Sequence, residues 1–161
     1  LFGCVRVVYN DYLGIKQDDW QKNRELPKNQ RRYTSDGEVA KQVTTLAKQT
    51  EERGWLGDVS AVPLQQVVRD ARSAYKNFFD SLTGKRKGPR VGAPRFKSKR
   101  GKSSARFVGT SFKVRQTTHG VGKVYLAKIG WVRFELSREL PSEPTSVTIT
   151  HKPMKCRSWR K

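Results

Sequence analysis

The sequence changes its periodicity at residues 84–107, and this segment constrains the fold more than any other. It reads GKRKGPRVGAPRFKSKRGKSSARF and contains ten Lys or Arg and no Asp or Glu. Its prolines and glycines disfavour a helix. Apolar side chains recur at helical spacing before it, and apolar and polar side chains alternate after it. The chain is therefore predicted to be helical first, then irregular and basic, and then β.

Charge is distributed unevenly along the chain, which carries a formal net charge of +20. Residues 1–83 have 13 Lys or Arg against 11 Asp or Glu, whereas residues 84–161 have 21 against 3. Such a field attracts polyanions, so the candidate partners are RNA, DNA or an anionic membrane surface. No run of residues approaches the roughly 18–20 apolar positions that span a bilayer. We therefore expect a nucleic acid as partner, with no membrane and no small-molecule substrate.

The cysteine content indicates the compartment. Cys4 and Cys156 are the only two cysteines and lie at opposite ends of the chain, which is not a disulfide framework. This usage is typical of a reducing environment. We expect a cytoplasmic protein that associates with the nucleoid when it is on DNA.

Two helices are predicted before residue 55. Apolar side chains at helical spacing predict the first over residues 2–20. A polar connector follows at 22–34. The sequence SDGE at Ser35–Glu38 matches a capping box, and the apolar pattern after it predicts a second helix that ends at Gly54.

The third predicted helix, over residues 60–82, has the strongest pattern. Ser60 can cap it, and Pro63 is tolerated in a first turn. Its broad apolar stripe predicts a core-facing helix. We expect three of its aromatic side chains to be core residues: Tyr75, Phe78 and Phe79.

Five short strands are predicted after the basic segment, reading ARFV, SFKVR, KVYLAKI, GWVRFEL and TSVTIT, with a hairpin that turns at Gly130. The predicted fold class is α+β. A helical lobe resembling a helix-turn-helix comes first, and a small, incomplete antiparallel β-barrel or sheet follows. The predicted divisions are 1–83 for the helical lobe, 84–103 for a basic linker, 104–150 for the β domain and 151–161 for a basic tail.

Residues that could perform catalysis are sparse. There is no CxxC pair, and His119 and His151 lack nearby ligand partners, so no zinc site is expected and both are interpreted as surface residues. No GxxxxGK[ST] sequence is present. A metal-dependent nuclease needs several converging carboxylates, whereas the second half of the chain offers Glu135, Glu139 and Glu143 alone. We expect no catalytic residue and no metal site in this chain.

The basic segment can be interpreted as a solvated linker or as a binding surface. Three features favour binding: its prolines and glycines leave backbone amides free, it joins two folded parts, and Phe96 within PRFK is an aromatic residue that could anchor the loop or stack on a base. Its cations would neutralise phosphates and release counterions, which gives affinity independent of sequence. The candidate phosphate contacts are Lys85, Arg86, Lys87, Arg90, Arg95, Lys97, Lys99, Arg100, Lys102 and Arg106.

Reading of bases requires polar side chains against base edges. Gln65 and Gln66, at the start of the third helix, are candidates because a Gln can bond adenine bidentately in a major groove. Both can equally be solvent-facing residues. Composition alone does not distinguish RNA from DNA.

Four segments together resemble a known family. FGCVRVVYN, WLGDVSAVPLQQVVRDARSAYKNFF, GAPRFKSKRGKSSARF and KIGWVRFELSRELPSEPTSVTIT occur in this order over roughly residues 1–150. They resemble the N-terminal part of TnpB-type (OrfB) proteins of bacterial insertion sequences. That family has long been described as transposases with an N-terminal helix-turn-helix.

The resemblance implies an RNA-guided DNA endonuclease related to type V CRISPR effectors. In such proteins guide RNA pairs with the target strand, and the protein reads a short motif beside the target. The family's N-terminal part combines a wedge β-barrel with a helical recognition lobe, which would be residues 104–150 and 1–82 here. By the same resemblance the basic segment handles guide RNA and its duplex with the target. Gln65 and the segment Gly109, Thr110 and Ser111 would approach the target-adjacent motif.

The sequence also departs from the family pattern. The strand that usually precedes FGC is missing, and HKPMKCRSWRK matches nothing expected after TSVTIT. The family's nuclease domain should follow, with Asp and Glu ligands for Mg²⁺ and with a structural Zn²⁺ ribbon. We therefore expect a piece of a longer protein, truncated at both ends, that binds nucleic acid without its own catalytic site. A frameshift would explain the tail.

Two alternative functions remain open from the sequence. The first is a sequence-specific duplex-DNA binder that acts through the N-terminal helices. The second is a structural RNA-binding protein similar to those of ribosomes.

Overall fold

The computed structural model of the chain describes residues 1–116 and 120–152. Three helices come first, α1 (Phe2–Arg24), α2 (Asp36–Lys41) and α3 (Ala61–Leu82). Five strands follow, β1 (Ser103–Val108), β2 (Phe112–Gln116), β3 (Val121–Leu126), β4 (Gly130–Glu135) and β5 (Ser146–His151). This order confirms the predicted α+β class. The predictions made for His119, Cys156 and residues 153–161 concern positions outside the described ranges.

Helix α1 continues beyond the predicted residue 20, and the connector after it folds back onto the helix. The buried Asn23 side chain donates to the carbonyl oxygen of Arg32 and accepts from its N–H, both at 2.6 Å. The Asp19 carboxylate accepts from the N–H of Thr34 at 2.7 Å and from its hydroxyl at 3.1 Å. These bonds satisfy polar groups that would otherwise be costly to bury, and they fix where the next helix begins.

Helix α2 begins with the predicted capping box but is much shorter than predicted. The Ser35 hydroxyl accepts from the N–H of Glu38 at 3.2 Å, and the Glu38 carboxylate accepts from the N–H of Ser35 at 2.9 Å. The prediction of a continuous helix to Gly54 is wrong, because a π-helical turn at Gln42–Leu46 replaces the α-helix after Lys41. The Thr44 hydroxyl donates to the carbonyl of Ala40 at 2.7 Å, and such back-bonding competes with regular helix geometry.

Helix α3 matches the predicted span, but its second half is not core. Ser60 occupies the N-cap position as predicted, but its side chain is buried and makes no cap hydrogen bond. The buried positions of α3 all lie within Pro63–Ala71, because the elements packed on the helix cover that half. Tyr75 and Phe78 are therefore half-buried. Phe79 is 53% exposed and stacks on the Tyr75 ring at 6.3 Å, which corrects its assignment to the core.

The strands form two antiparallel sheets and no closed barrel within the described residues. One sheet pairs β1 with β5, and the other has the order β2-β3-β4. The predicted hairpin is present, but its turn lies one residue earlier, at 127–129, with Lys128 in the left-handed region (φ 68°). Gly130 is instead the first residue of β4 and pairs with Leu126. The Phe134 ring of β4 covers Gly122, so any side chain at position 122 would collide with it.

One hydrophobic core joins the helices to the sheets. Fully buried side chains come from α1, α3, β1 and β3, namely Val8, Leu13, Leu64, Phe107 and Leu126. Strand β1 packs against both α1 and α3. No helix within the described ranges is both long and apolar enough to cross a membrane. The core contains residues from both sides of positions 83 and 103. The division of the chain into parts at these positions stays a prediction.

A polar cluster centred on Asp36 ties the three helices together. Its carboxylate accepts from the Tyr12 hydroxyl of α1 at 2.9 Å and pairs with Lys16 at 2.8 Å and with Arg72 of α3 at 3.0 Å. Partial burial acts to raise the pKa of Asp36, but the hydrogen bonds and charges of these partners outweigh it and lower that pKa. Burial and the bond to Asp36 raise the pKa of Tyr12.

Replacing Asp36 by Asn should destabilise the protein and change its pH dependence. The loss of charged hydrogen bonds at a partly exposed site predicts a cost of about 1–2 kcal/mol at neutral pH. Because the folded-state pKa is lowered, this stabilisation is fully present above about pH 4, the pKa of an unfolded Asp, and is lost as the pH falls through the folded-state value. Thermal melts across pH should therefore show the two proteins converging in acid. The matched control is Asp18→Asn, an exposed acid of α1. Equal pH profiles of stability for Asp36→Asn and the unmodified chain would contradict the stabilising role of Asp36.

Candidate nucleic-acid interface

The basic segment crosses the surface without regular secondary structure between α3 and β1, as predicted. It is nevertheless held in place at two points along its length. The N–H of Val91 donates to the Ser81 hydroxyl of α3 at 3.0 Å. Further along, the Asn10 side chain of α1 binds the backbone of Lys97 twice, donating to its carbonyl at 3.0 Å and accepting from its N–H at 2.8 Å. An amide side chain thus pairs with this segment much as a neighbouring strand would.

Lys97 differs from the other cations of the segment. Its ammonium lies 4.0 Å from the centroid of the Tyr9 ring, a cation–π contact, and its side chain is half-buried. Burial lowers the pKa of Lys97, and the nearby charge of Asp70 acts in the opposite direction. Lys97 was predicted to contact phosphate, but its side chain packs against Tyr9 and so holds the segment against α1.

The remaining predicted cations have exposed side chains. They are Lys85, Arg86, Lys87, Arg90, Arg95, Lys99, Arg100, Lys102 and Arg106. Over residues 1–116 and 120–152 the structure has three ion pairs, and none of them involves these cations. Arg86 makes one bond, from its guanidinium to the carbonyl of Pro89 at 3.1 Å. The structure therefore places a set of unneutralised cations along one ordered path.

Two members of the predicted set, Phe96 and Arg106, lie in different surroundings. Phe96 is 53% exposed, so it is available for stacking and is not a buried anchor of the loop. Arg106 lies on β1 between the buried Ala105 and Phe107, and it points away from the core as strand alternation requires.

The residues predicted to read bases fall into two groups. Gln65 is exposed and lines a cavity of about 350 Å³ together with Arg69, Arg72 and Thr44. Gln66 is buried, so its amide is not on the surface. The two neighbouring glutamines thus lie on different sides of α3, as the 100° step of a helix dictates.

The segment Gly109–Ser111 forms a tight turn between β1 and β2. The Ser111 hydroxyl closes it by donating to the carbonyl of Val108 at 2.7 Å and accepting from its N–H at 3.1 Å. Gly109 adopts φ 59°, a conformation that favours glycine. Thr110 is exposed at the tip of the turn, whereas Ser111 is buried. In the described part of the chain, no hydrogen bond joins this turn to Gln65.

The sequence reasoning missed a surface on the second sheet. Exposed cations lie on β2, β3 and β4, and exposed aromatic rings lie beside them on β3 and β4. The Arg115 guanidinium lies 4.9 Å from the centroid of the Trp131 ring. The alternation in KVYLAKIGWVRFEL predicts one polar face, but only the strand register shows which side chains of three strands meet there. Within the described residues no three His, Cys, Asp or Glu side chains gather where they could hold a metal ion.

Comparison with known proteins identifies related sequences. A family model described as "Helix-turn-helix domain", of the OrfB type of IS605, matches residues 1–25. A protein of Streptomyces pristinaespiralis is 36% identical over 153 residues, covering 92% of this chain and 33% of that protein. InsQ of Escherichia coli (strain K12) is 31% identical over 157 residues, covering 98% of this chain and 33% of InsQ. Both relatives are named for an inferred RNA-guided DNA endonuclease activity.

The predicted resemblance is therefore confirmed: the chain is similar to the N-terminal part of OrfB, or TnpB-type, proteins. It spans about a third of the length of the curated relatives it matches. The residues matched by the helix-turn-helix model coincide with α1 alone. Because residues 25–35 separate α1 from α2, the connection is longer than the usual turn of about 3–4 residues in that motif.

Replacing Asn10 by Ala should release the basic segment from α1. Two hydrogen bonds to a partly buried backbone are lost, which predicts a destabilisation of about 1–2 kcal/mol. Trypsin should also cleave after the cations near Lys97 faster than in the unmodified chain, because local opening exposes the backbone. The matched control is Asn77→Ala, an exposed Asn of α3. Unchanged cleavage in the Asn10 variant would show that the two bonds do not hold the segment.

Proposed function

We propose that this chain is a nucleic-acid-binding part of a TnpB-type protein and holds guide RNA and target DNA by their phosphates. The observation that carries the proposal is the ordered path of unpaired cations between α3 and β1, fixed to the helices by Asn10 and Ser81. Exposed cations without ion-pair partners retain their full attraction for phosphates. The helix-turn-helix match of residues 1–25 supports the same class of ligand.

The path contributes affinity without reading sequence. Each phosphate contact releases counterions, so binding weakens steeply as salt rises. Contacts of this kind fix the position of a strand, whereas base contacts specify it. Because the backbone of the segment is already held at two points, less conformational entropy is lost on binding than for a free linker.

The whole protein's activity is proposed from the relatives' names. We infer RNA-guided DNA cleavage linked to transposition, in the cytoplasm and on the nucleoid, with base pairing reading the target sequence. In this scheme Gln65 and the exposed Thr110, supported by the turn of Gly109 and Ser111, contact the target-adjacent motif. Because Gln66 is buried, we do not include it among the residues that read bases.

We further propose that this chain performs no cleavage by itself. A guided nuclease needs carboxylates that hold Mg²⁺, and the described residues offer no such cluster and no set of ligands for a structural Zn²⁺. In full-length relatives we expect both ions to be bound outside the third of the protein to which this chain corresponds. Its role is to hold RNA and DNA for that chemistry.

A second candidate function is sequence-specific binding of duplex DNA, which the helix-turn-helix match favours. Gln65, Arg69 and Arg72 lie together on α3 beside one cavity and could contact a groove. A competition experiment separates the two: preference for one duplex sequence over bulk RNA favours this candidate, whereas displacement by RNA favours the first.

Neutralising three exposed cations of the path should weaken RNA binding and flatten its salt dependence. The variant Arg95→Gln, Lys99→Gln, Arg100→Gln leaves Lys97 and its contacts with α1 intact. If each cation contacts one phosphate of a single strand, the slope of log K against log salt should fall in magnitude by about 0.7 per contact. Filter binding or fluorescence anisotropy over a salt series measures this.

A variant with the same change of charge serves as control. Lys22→Gln, Lys28→Gln, Lys41→Gln removes three exposed cations of the helical part. If both variants lower affinity and slope equally, net charge and not the path determines binding. An unaltered slope in the first variant would rule out the phosphate assignment.

A further inference from the structure

The exposed face of the second sheet has a defined composition. The strand register aligns Lys113 with Tyr125 and Trp131 in one row, and Arg115 with Lys123 and Arg133 in the next. We call these six residues the β2–β4 face. All six side chains are exposed. The residues that alternate with them point to the opposite face, where Phe112, Val124 and Leu126 are buried in the core.

The two aromatic side chains of this face are not explained by the core. Trp131 is 47% exposed and Tyr125 is 36% exposed. Their ring centroids lie 5.5 Å apart with the planes tilted by 60°, and Arg115 extends over the Trp131 ring from two strands away. A cross-strand aromatic pair stabilises a sheet, but it does not require four cations around it.

The charges of the face are unbalanced. It has four cations, and Glu135 at the end of β4 is the acidic residue on the same side. In the part of the chain that the structure describes, none of the four is in an ion pair. Arg115, Lys123, Arg133 and Trp131, with Val132, line an open cavity of about 340 Å³. An indole ring surrounded by guanidinium and ammonium groups matches a planar, uncharged ring attached to a phosphate.

We propose that the β2–β4 face binds unpaired nucleotides of an RNA or DNA strand. Bases stack on Trp131 and Tyr125, and the phosphates on either side contact Arg115, Lys123 and Arg133. Stacking on aromatic side chains requires a base that is not already stacked in a duplex, so the ligand is single-stranded. The proposal rests on the proposed function, but it concerns a site that shares no residue with the basic segment.

The test is to measure how tightly the 161-residue chain binds three ligands of roughly ten nucleotides. They are an oligothymidylate, an oligouridylate and a mixed-sequence duplex. Trp131→Leu should weaken binding of the single strands roughly 5-fold to 150-fold, the range of one stacked base, and leave the salt slope unchanged. Arg115→Gln with Lys123→Gln should instead reduce the slope by about 0.7 per contact. Trp20→Leu, an exposed Trp of α1, is the matched control. Comparison of the thymidylate and uridylate shows which strand the face prefers.

A thermal melt shows whether Trp131→Leu folds. If it does not fold, the variant Arg115→Gln with Lys123→Gln still tests the proposal. Binding by Trp131→Leu as tight as by Trp20→Leu, or an unchanged slope in the double variant, overturns the proposal and leaves the proposed function standing. If the unmodified chain binds no nucleic acid, the proposed function fails with it. Loss of self-association in Trp131→Leu at unchanged nucleic-acid affinity would show that the face is instead a contact between two copies.

Discussion

The burial of β1 between α1 and α3 is the contact on which the rest of the arrangement depends. Phe107 and Ala105 of this strand are buried against the helices, so the chain must return to α3 and α1 after leaving α3 at Leu82. The intervening segment has to cover that distance outside the core. Its many cations cannot be buried without partners, because an isolated buried charge is very unfavourable. Burial of one strand therefore forces the basic segment onto the surface.

Two acidic residues of the helical part are engaged within that part and do not neutralise the basic segment. Asp36 pairs with Lys16 and Arg72, and Asp11 pairs with Arg53, so these acids serve contacts among the helices. The helical part is thereby balanced internally, and the second half keeps its excess of 21 basic over 3 acidic residues. The positive field that nucleic acid would encounter therefore comes from the second half of the chain.

The sequence allowed the fold class and most element positions to be predicted, because α1, α3 and the strands have strong periodicity. The early end of α2 was not predicted, since the competition from the Thr44 hydroxyl with the helix backbone depends on side-chain geometry. The inward position of Lys97 was also missed, because its contact with Tyr9 joins residues far apart in the chain. The β2–β4 face was missed for a related reason: alternation shows which residues of one strand share a face, but the register decides which rows form across three strands.

The two surfaces differ in how their affinity depends on solution conditions. Phosphate contacts along the basic path are screened as ionic strength rises, with a Debye length of about 8 Å at physiological salt. Stacking on Trp131 and Tyr125 acts at contact distance and is insensitive to that screening. The path alone would hold any polyanion and release it readily at high salt. Together with an aromatic face, it would favour strands with unpaired bases over duplex, since only unpaired bases gain from both surfaces. Under the proposed function both kinds of strand are present, so this difference would give the chain a physical means to distinguish them without reading sequence.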